Sequence, residues 1–178
     1  IEIPDNVTII GIFALAYCTK LERVILPDSI KEIRMGAFYD CQNLKNINLP
    51  ERLEAIRNDA FSNCKSLTDV KLPNGVEKIE KGTFAECTSL ENLQLSNNTT
   101  EIEEIAFNNC ISLKSIYLPD SLKKIGSAAF FNCNSLSTVN MPEGIESVGE
   151  NVFDGTEVFE NSVADEYGSV YLGKVLLY

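Results

Sequence analysis

The six cysteines of this chain lie 23 residues apart, and no other feature restricts its fold as strongly. The six prolines keep the same period, with Ser96 at the one position of their series where proline is missing. Six of the nine phenylalanines keep it too, and Leu15 stands one period before the first of them. Repeats of about 20–50 residues are typical of solenoids. The residues are Cys18, Cys41, Cys64, Cys87, Cys110 and Cys133, and Phe38, Phe61, Phe84, Phe107, Phe130 and Phe153.

Each unit contains a short stretch in which apolar and polar residues alternate. In one unit Ile47 and Leu49 are apolar, whereas Asn46 and Asn48 are polar. Because successive side chains of a strand point to opposite faces, this alternation indicates a half-buried strand. Pro50 follows directly, and we expect it to end the strand because it has no N–H to donate to a neighbour.

The remainder of each unit predicts a short helical segment. Ala60, Phe61, Cys64 and Leu67 have the spacing i, i+1, i+4 and i+7 of one or two helical turns. A single unit is too thin to bury its apolar face, whereas a stack of units can do so. We therefore predict an α/β, right-handed solenoid of about seven coils, with a parallel sheet on the concave face and helical turns on the opposite side.

The phenylalanine and cysteine columns are expected to form the core. Rings at the same position of every coil become a stacked aromatic spine when the coils stack. The six thiols also share one position, and we expect them to be buried and free, as small apolar side chains. Neighbouring Cα atoms would be close enough for a disulfide by distance alone, so pairing of the cysteines stays an alternative.

The composition argues against several functions. Histidine is absent, which removes Ser-His-Asp and Cys-His nucleophilic pairs and most zinc ligand sets. The chain has 15 basic and 26 acidic residues, and its net charge of −11 argues against binding to nucleic acid or anionic lipid. No apolar run approaches the ~20 residues of a transmembrane helix. We predict no catalytic residues, no metal, no cofactor and no direct insertion into a membrane.

Four segments match the strand and helical parts of one known repeat pattern: Leu90–Leu95, Ser135–Pro142, Ala60–Cys64 and Ala129–Cys133. With these segments, the chain resembles the BspA-type leucine-rich repeat of bacterial surface proteins from about Ile1 to Phe153. The resemblance implies a leucine-rich-repeat solenoid. It also implies an extracellular or cell-surface module of the kind found in adhesins and secreted bacterial proteins. The family offers no universal ligand and no catalytic residues that could be transferred to this chain.

One coil departs from the pattern. The coil that includes Leu95 has Ser96 in place of proline and the polar Thr99 in an apolar column. Ile105 stands where the other units have a small or polar residue before Ala-Phe. We expect a local irregularity in this coil.

The pattern fades towards the C-terminus. We predict a solenoid over residues 1–159 and a C-terminal cap or hairpin over residues 160–178, with Gly173 and Lys174 in a type II′ turn. In a repeat array a cap covers the exposed end of the core. The alternative is that residues 160–178 lead into a further repeat block.

The polar residues that alternate with the buried ones would form the concave face, which is the candidate binding surface. Tyr117 is its best anchor, since tyrosine is common at interface centres. A column of acidic and amide residues after each strand, such as Asp28 and Asp120, suggests either turn chemistry or a calcium-binding edge. The candidate binding residues are Arg23, Ile25, Asn46, Asn48, Asp69, Lys71, Asn92, Gln94, Ser115, Tyr117, Thr138 and Asn140.

We predict a non-catalytic, adhesion-type interaction module at the cell surface or in the extracellular space. The expected partner is a protein or glycoprotein, from host matrix or another cell surface, and the expected state is a monomer. Two alternatives remain open at this point. The chain is either a passive spacer that displays another domain, or the non-catalytic part of a larger secreted enzyme.

Overall fold

The computed structural model describes residues 1–162, 171–172 and 175–176. Its described part is a stack of coils, and each regular coil contributes two short strands. The described part holds one α-helix, α1 (Glu157–Glu160), between β13 and β14. In chain order the strands are β1 (Ile9–Ile10), β2 (Arg23–Val24), β3 (Glu32–Ile33), β4 (Asn46–Ile47), β5 (Ala55–Ile56), β6 (Asp69–Lys71), β7 (Lys78–Ile79), β8 (Asn92–Gln94), β9 (Glu101–Ile102), β10 (Ser115–Tyr117), β11 (Lys124–Ile125), β12 (Thr138–Asn140), β13 (Ser147–Val148), β14 (Tyr171–Leu172) and β15 (Val175–Leu176).

The first sheet consists of the strands predicted from the alternating pattern. Strands β2, β4, β6 and β8 pair in parallel in that order, and β10 pairs in parallel with β12. Each residue lies beside the residue 23 positions later, as Asp69 beside Asn92 and Tyr117 beside Asn140. The parallel solenoid predicted from the repeat is therefore confirmed.

A second sheet runs along the solenoid, and the sequence analysis did not predict it. It consists of β1, β3 and β5 in one group and β7, β9, β11 and β13 in another, all parallel. Ile56 and its counterparts Ile33 and Ile79 are buried, while their neighbours along the strand face outward. These segments contain only two residues each, so their alternation is too short to be recognised as a strand pattern.

The segment predicted to be helical forms consecutive turns instead. Every coil has two residues there with positive φ, four positions apart, such as Gly36 (61°) and Asp40 (59°). A left-handed residue interrupts a right-handed helix, so no helix propagates. The N–H groups alternate between the same coil and the next one: Ala37 donates to Arg34 O at 3.1 Å, and Phe38 donates to Ala60 O at 2.8 Å. This segment therefore forms a third side of each coil and, like the two sheets, joins it to the next coil by backbone hydrogen bonds.

The core contains the predicted aromatic spine. Six phenylalanine rings, from Phe38 to Phe153, are buried and stack face to face, with centroids 5.1–5.6 Å apart and planes within 10° of parallel. Large apolar side chains from the two sheets, such as Ile33, Leu44 and Ile56, surround them. The prediction of a stacked phenylalanine column is confirmed.

The cysteines form a second column in the core, and none of the six is in a disulfide. Cys41, Cys64, Cys87, Cys110 and Cys133 are buried, whereas the first member of the column is only partly covered. Each buried thiol donates to a carbonyl oxygen of the preceding coil at 3.1–3.3 Å. Burial raises the pKa of Cys41 to about 11 and that of Cys87 to about 12. The five buried thiols are therefore structural groups, as predicted, whereas the prediction of burial is wrong for Cys18, which lies in the first coil of the described structure with no coil before it.

The irregularity expected after Leu95 is present. Thr99 is fully buried, and its hydroxyl has no hydrogen-bond partner in the described structure. Ile105 has a φ of 51°, which is strained for a β-branched residue. In the first sheet, strand β8 of this coil does not pair with β10 of the next coil, and we call this junction the seam.

The C-terminal region continues the stack for part of one coil. Thr156 caps α1 by accepting a hydrogen bond from Phe159 N, and Val158 N donates to Leu136 O of the preceding coil. Strands β14 and β15 pair antiparallel, and Leu172 packs against the core. The predicted turn at Gly173 and Lys174 lies outside the described residues. The boundary between residues 1–159 and 160–178 stays a prediction.

Candidate binding surface

The twelve residues predicted to bind a partner line the outer side of the first sheet, and we call this surface the first-sheet face. Eleven of them are exposed, and Asn140 is partly buried. Arg23 lies beside Asn46 and Ser115 beside Thr138, because the strands are in 23-residue register. The alternating pattern therefore identified outward-facing residues.

A shallow depression of about 380 Å³ lies on this face. Seven of the twelve residues border it: Asn46, Asn48, Asp69, Lys71, Asn92, Gln94 and Ser115. Arg23 and Ile25 border a second depression together with Asn46 and Asn48. Tyr117, Thr138 and Asn140 border neither of the two. The structure thus brings together the side chains of β4, β6 and β8, with Ser115 of β10 at the edge.

Asp69 is the one carboxylate among the twelve residues, and its neighbours hold it in place. Thr68 Oγ1 donates to Asp69 Oδ2 at 2.5 Å, and Asn92 Nδ2 donates to Asp69 Oδ1 at 2.6 Å. These two hydrogen bonds, that of Thr68 first, lower the pKa of Asp69 below its ordinary value. The carboxylate is therefore ionised at neutral pH and remains an acceptor for a ligand.

Asn140 is used differently from the other amides. Its side-chain oxygen accepts from Leu118 N at 2.8 Å, and its Nδ2 donates to Leu118 O at 2.8 Å. It therefore continues the sheet with its side chain and has less capacity left for a ligand than the other amides of the face.

Most polar side chains of the first-sheet face have no partner within the described residues. The side chains of Arg23, Asn48, Lys71, Gln94 and Tyr117 make no hydrogen bond or ion pair there. Arg23 and Lys71 against Asp69 leave one net positive charge on the face, so it is nearly neutral. Its donors and acceptors are satisfied by solvent and are available to a ligand.

The outer side of the second sheet has a different character, and sequence reasoning missed it. Arg57 bridges Glu32 and Glu80, with nitrogen–oxygen distances of 2.8 and 2.9 Å. Lys78 pairs with Glu101 at 2.6 Å. The hydrogen bond that Arg57 donates to Glu32 lowers the pKa of Glu32 and raises the pKa of Arg57. Opposite charges one period apart, as in Lys78 and Glu101, are the signal that would have predicted this face.

The sequence analysis also missed four residues that line the depression, and Thr68, which bonds to Asp69 beside it; the four are Ile47, Val70, Glu91 and Leu93. Thr68 and Glu91 directly precede a strand, a position that the alternating pattern does not cover. Over the described part of the chain, no helix is long and apolar enough to cross a membrane. No group of three or more histidine, cysteine, aspartate or glutamate residues there could hold a metal ion.

Stacked parallel strands that repeat every 23 residues around a phenylalanine spine define a leucine-rich-repeat solenoid. The family model described as BspA type Leucine rich repeat region, present in six copies, matches residues 1–110 and 54–169. The chain therefore belongs to the BspA-type leucine-rich repeat family. Repeats of this class generally provide surfaces for protein interaction.

Solved bacterial leucine-rich-repeat structures are similar to the chain. A T. pallidum leucine-rich repeat protein is 33% identical, with a TM-score of 0.84 over 89% of this chain and 76% of that one. A leucine-rich cell surface protein of Faecalibacterium prausnitzii is 31% identical, with a TM-score of 0.73 over 96% of this chain and 41% of that one.

A leucine-rich repeat protein of Eubacterium ventriosum shares the fold at 24% identity, with a TM-score of 0.82 over 96% of this chain and 46% of that one. The chain thus spans about three quarters of the T. pallidum structure and less than half of the other two. None of the curated proteins compared with the chain matches it.

Proposed function

We propose that the chain is a non-catalytic, adhesion-type interaction module on a bacterial cell surface, and that it binds a protein or glycoprotein through the first-sheet face. The observation that carries this proposal is the difference in pairing between the two faces. On the second sheet, charged side chains pair with one another across coils, as Arg57 does with Glu32 and Glu80. On the first sheet, Arg23, Lys71 and Tyr117 have no such partners among the described residues.

Two further observations support the surface role. The F. prausnitzii relative is named as a cell surface protein, and it is 31% identical over 96% of this chain. Burial raises the pKa of the Cys41 and Cys87 thiols, so these two groups offer no nucleophile to a substrate. Interaction through a rigid array of strands also suits an elongated repeat protein.

The proposal is tested by measuring binding of the purified chain to immobilised extracellular-matrix glycoproteins. We expect the double variant Lys71→Ala/Tyr117→Ala to reduce binding about tenfold or more, because tyrosine and a desolvated charge commonly dominate an interface. A matched control, Lys124→Ala/Tyr17→Ala, removes the same residue types from elsewhere on the surface and should bind like wild type. Both should keep the wild-type melting temperature.

Two outcomes would contradict the proposal. Equal loss in both double variants, or in neither, would move the binding site off the first-sheet face. A wild-type chain that binds none of the glycoproteins would favour a passive spacer.

A further inference from the structure

The seam leaves backbone groups of the first sheet without partners. In the coils on either side, Glu91 N donates to Thr68 O at 2.9 Å, and Ser137 N donates to Lys114 O at 3.0 Å. At the seam the corresponding bond, from Lys114 N to Glu91 O, is not formed, although Lys114 Nζ pairs with Glu91 Oε2 at 3.5 Å. The described structure therefore has one backbone donor and one backbone acceptor facing each other, unpaired, across this junction.

The coils on either side of the seam remain stacked elsewhere. Strand β9 pairs with β11 on the second sheet, and the rings of Phe107 and Phe130 are 5.2 Å apart. Phe107 N also donates to Ala129 O at 2.8 Å in the turn segment. The opening is thus confined to the first-sheet face, where a ligand can reach it without unfolding the coil.

The depression on the first-sheet face lies directly at the seam. Residues of β4, β6 and β8 line most of it, and Ser115 lines it from across the seam. Leu93 is only partly buried, whereas its counterparts in the neighbouring coils are 3–4% exposed. The opening therefore adds an apolar floor to a rim of amide, hydroxyl and carboxylate groups.

The lining chemistry selects the kind of ligand. Unpaired backbone groups and the amides of Asn48 and Gln94 present donors and acceptors side by side. A hydroxyl group both donates and accepts, so a chain of adjacent hydroxyls satisfies such a surface. Because Glu91 pairs with Lys114 at 3.5 Å, the charges of Asp69, Lys71, Glu91 and Lys114 sum to zero, which suits a neutral ligand. The aromatic and arginine anchors typical of a protein interface core are few on this surface.

We propose that the seam and its depression form a subsite for a neutral oligosaccharide, such as a glycan chain of the glycoprotein partner. The volume of about 380 Å³ falls at the lower end of the range for small-molecule sites. Tyr117, 65% exposed, lies on β10 two residues beyond Ser115 and outside the lining of the depression, where its ring face can extend the subsite along the apolar C–H side of a sugar. This inference rests on the proposed function of the first-sheet face and names the chemistry of its partner.

The test is binding of the full chain to an array of short neutral hexose and N-acetylhexosamine oligosaccharides, with sulfated and sialylated chains as charged comparisons. Neutral chains should bind, and their binding should change little with ionic strength because no ion pair is needed. Asn92→Ala/Gln94→Ala and Tyr117→Ala should each weaken binding about tenfold. Asn6→Ala and Tyr17→Ala are the matched amide and tyrosine controls and should leave binding unchanged.

A second measurement addresses the seam itself. The bound oligosaccharide should slow hydrogen exchange at the Lys114 amide, while the amide of Ser137, which donates to Lys114 O, should be unaffected. Binding without protection of Lys114 would place the sugar elsewhere and overturn the proposal.

The failures of the two proposals are distinguishable. If the chain binds a glycoprotein equally before and after enzymatic removal of its glycans, and no neutral oligosaccharide binds, the sugar subsite is wrong and the interaction module stands. If neither the glycoprotein nor any oligosaccharide binds, both proposals fail.

Discussion

The coil that begins at β8 and the coil before it, which begins at β6, follow the same plan, and three of the differences between them bear on the backbone and the core. Where the earlier coil has Pro73, Val76 and Gly82, the later one has Ser96, Thr99 and Ile105. The later coil therefore holds a buried hydroxyl without a partner and a β-branched residue at positive φ. The seam lies between this coil and the next one.

The two coils are nevertheless alike in their cores. Phe84 and Phe107 are both fully buried and stack at 5.6 Å, and Cys87 and Cys110 are equally buried. Each column of the solenoid contacts mainly its own copies in the coils above and below. A substitution in one column therefore leaves the other columns in place. The surface residues of a coil can change while its core residues stay stacked on those of its neighbours.

The largest expected effect tests whether the cores are equivalent. Phe84→Ala and Phe107→Ala should each lower the free energy of unfolding by about 3–5 kcal/mol, because each leaves a cavity between two stacked rings. Denaturant unfolding followed by circular dichroism measures this. A much smaller loss at Phe107 would show that the irregularity of the later coil reaches the core.

The buried thiols predict that the free energy of unfolding depends on pH in the alkaline range. A thiol whose pKa is raised by folding favours the folded state below its unfolded pKa, and this advantage declines as pH rises towards the folded pKa. For Cys87 the window runs from its ordinary value of 9.0 to about 12. In that window the Cys87 thiol should reduce the free energy of unfolding by about 1.4 kcal/mol per pH unit.

The control for the thiols is a pair of single variants, Cys87→Val and Cys110→Val. Between pH 9 and 11 the free energy of unfolding of each variant should fall less than that of the wild type, by the contribution of one thiol. Urea unfolding under reducing conditions measures this. The same slope in both variants and in wild type would contradict the predicted linkage.

An intermediate effect is expected from exchanging the residues of one column. Thr99→Val should raise the free energy of unfolding by about 1–2 kcal/mol, because it removes a buried hydroxyl that has no partner. The reciprocal change Val76→Thr places such a hydroxyl in the regular coil and should lower it by a similar amount. Thermal melting of both variants measures the pair, and shifts in the same direction would be inconsistent with this account.

The smallest effect concerns the left-handed position. Ile105→Gly should stabilise the later coil by about 1 kcal/mol or less. The change relieves backbone strain in the folded state, and the greater conformational freedom of glycine in the unfolded chain offsets part of this gain. Gly82→Ala in the earlier coil should destabilise, since a Cβ there would lie 2.2 Å from Asp59 Oδ1 and φ is +64°. A destabilised Ile105→Gly variant would indicate that the isoleucine side chain contributes packing that outweighs its strain.

The sequence predicted which residues stack in columns better than it predicted the backbone conformation between those columns. The periods of cysteine and phenylalanine give the stacking directly, because identical side chains can share one core position only in register. The turn segment was predicted as helical because Ala60, Phe61 and Cys64 have helical spacing. Its left-handed positions hold residues as different as Gly36, Asp59 and Ile105, so no residue type marks them.

The candidate surface was predictable to a similar extent. Strict alternation identifies which side chains of β4, β6 and β8 face outward. It does not show that β8 and β10 fail to pair, because two adjacent strands with correct register look the same in sequence whether or not they form hydrogen bonds. The hydrogen bond between Asp69 and Asn92 also depends on rotamers that the pattern does not specify.

The even spacing of the phenylalanine rings has a consequence for how such genes change. Successive rings are separated by 5.1–5.6 Å, and every interior coil meets the same neighbour on both sides. Recombination between repeats can therefore add or delete one coil in frame while each remaining contact is already satisfied. The length of the solenoid therefore varies in fixed steps, and it can evolve separately from the residues of the first-sheet face.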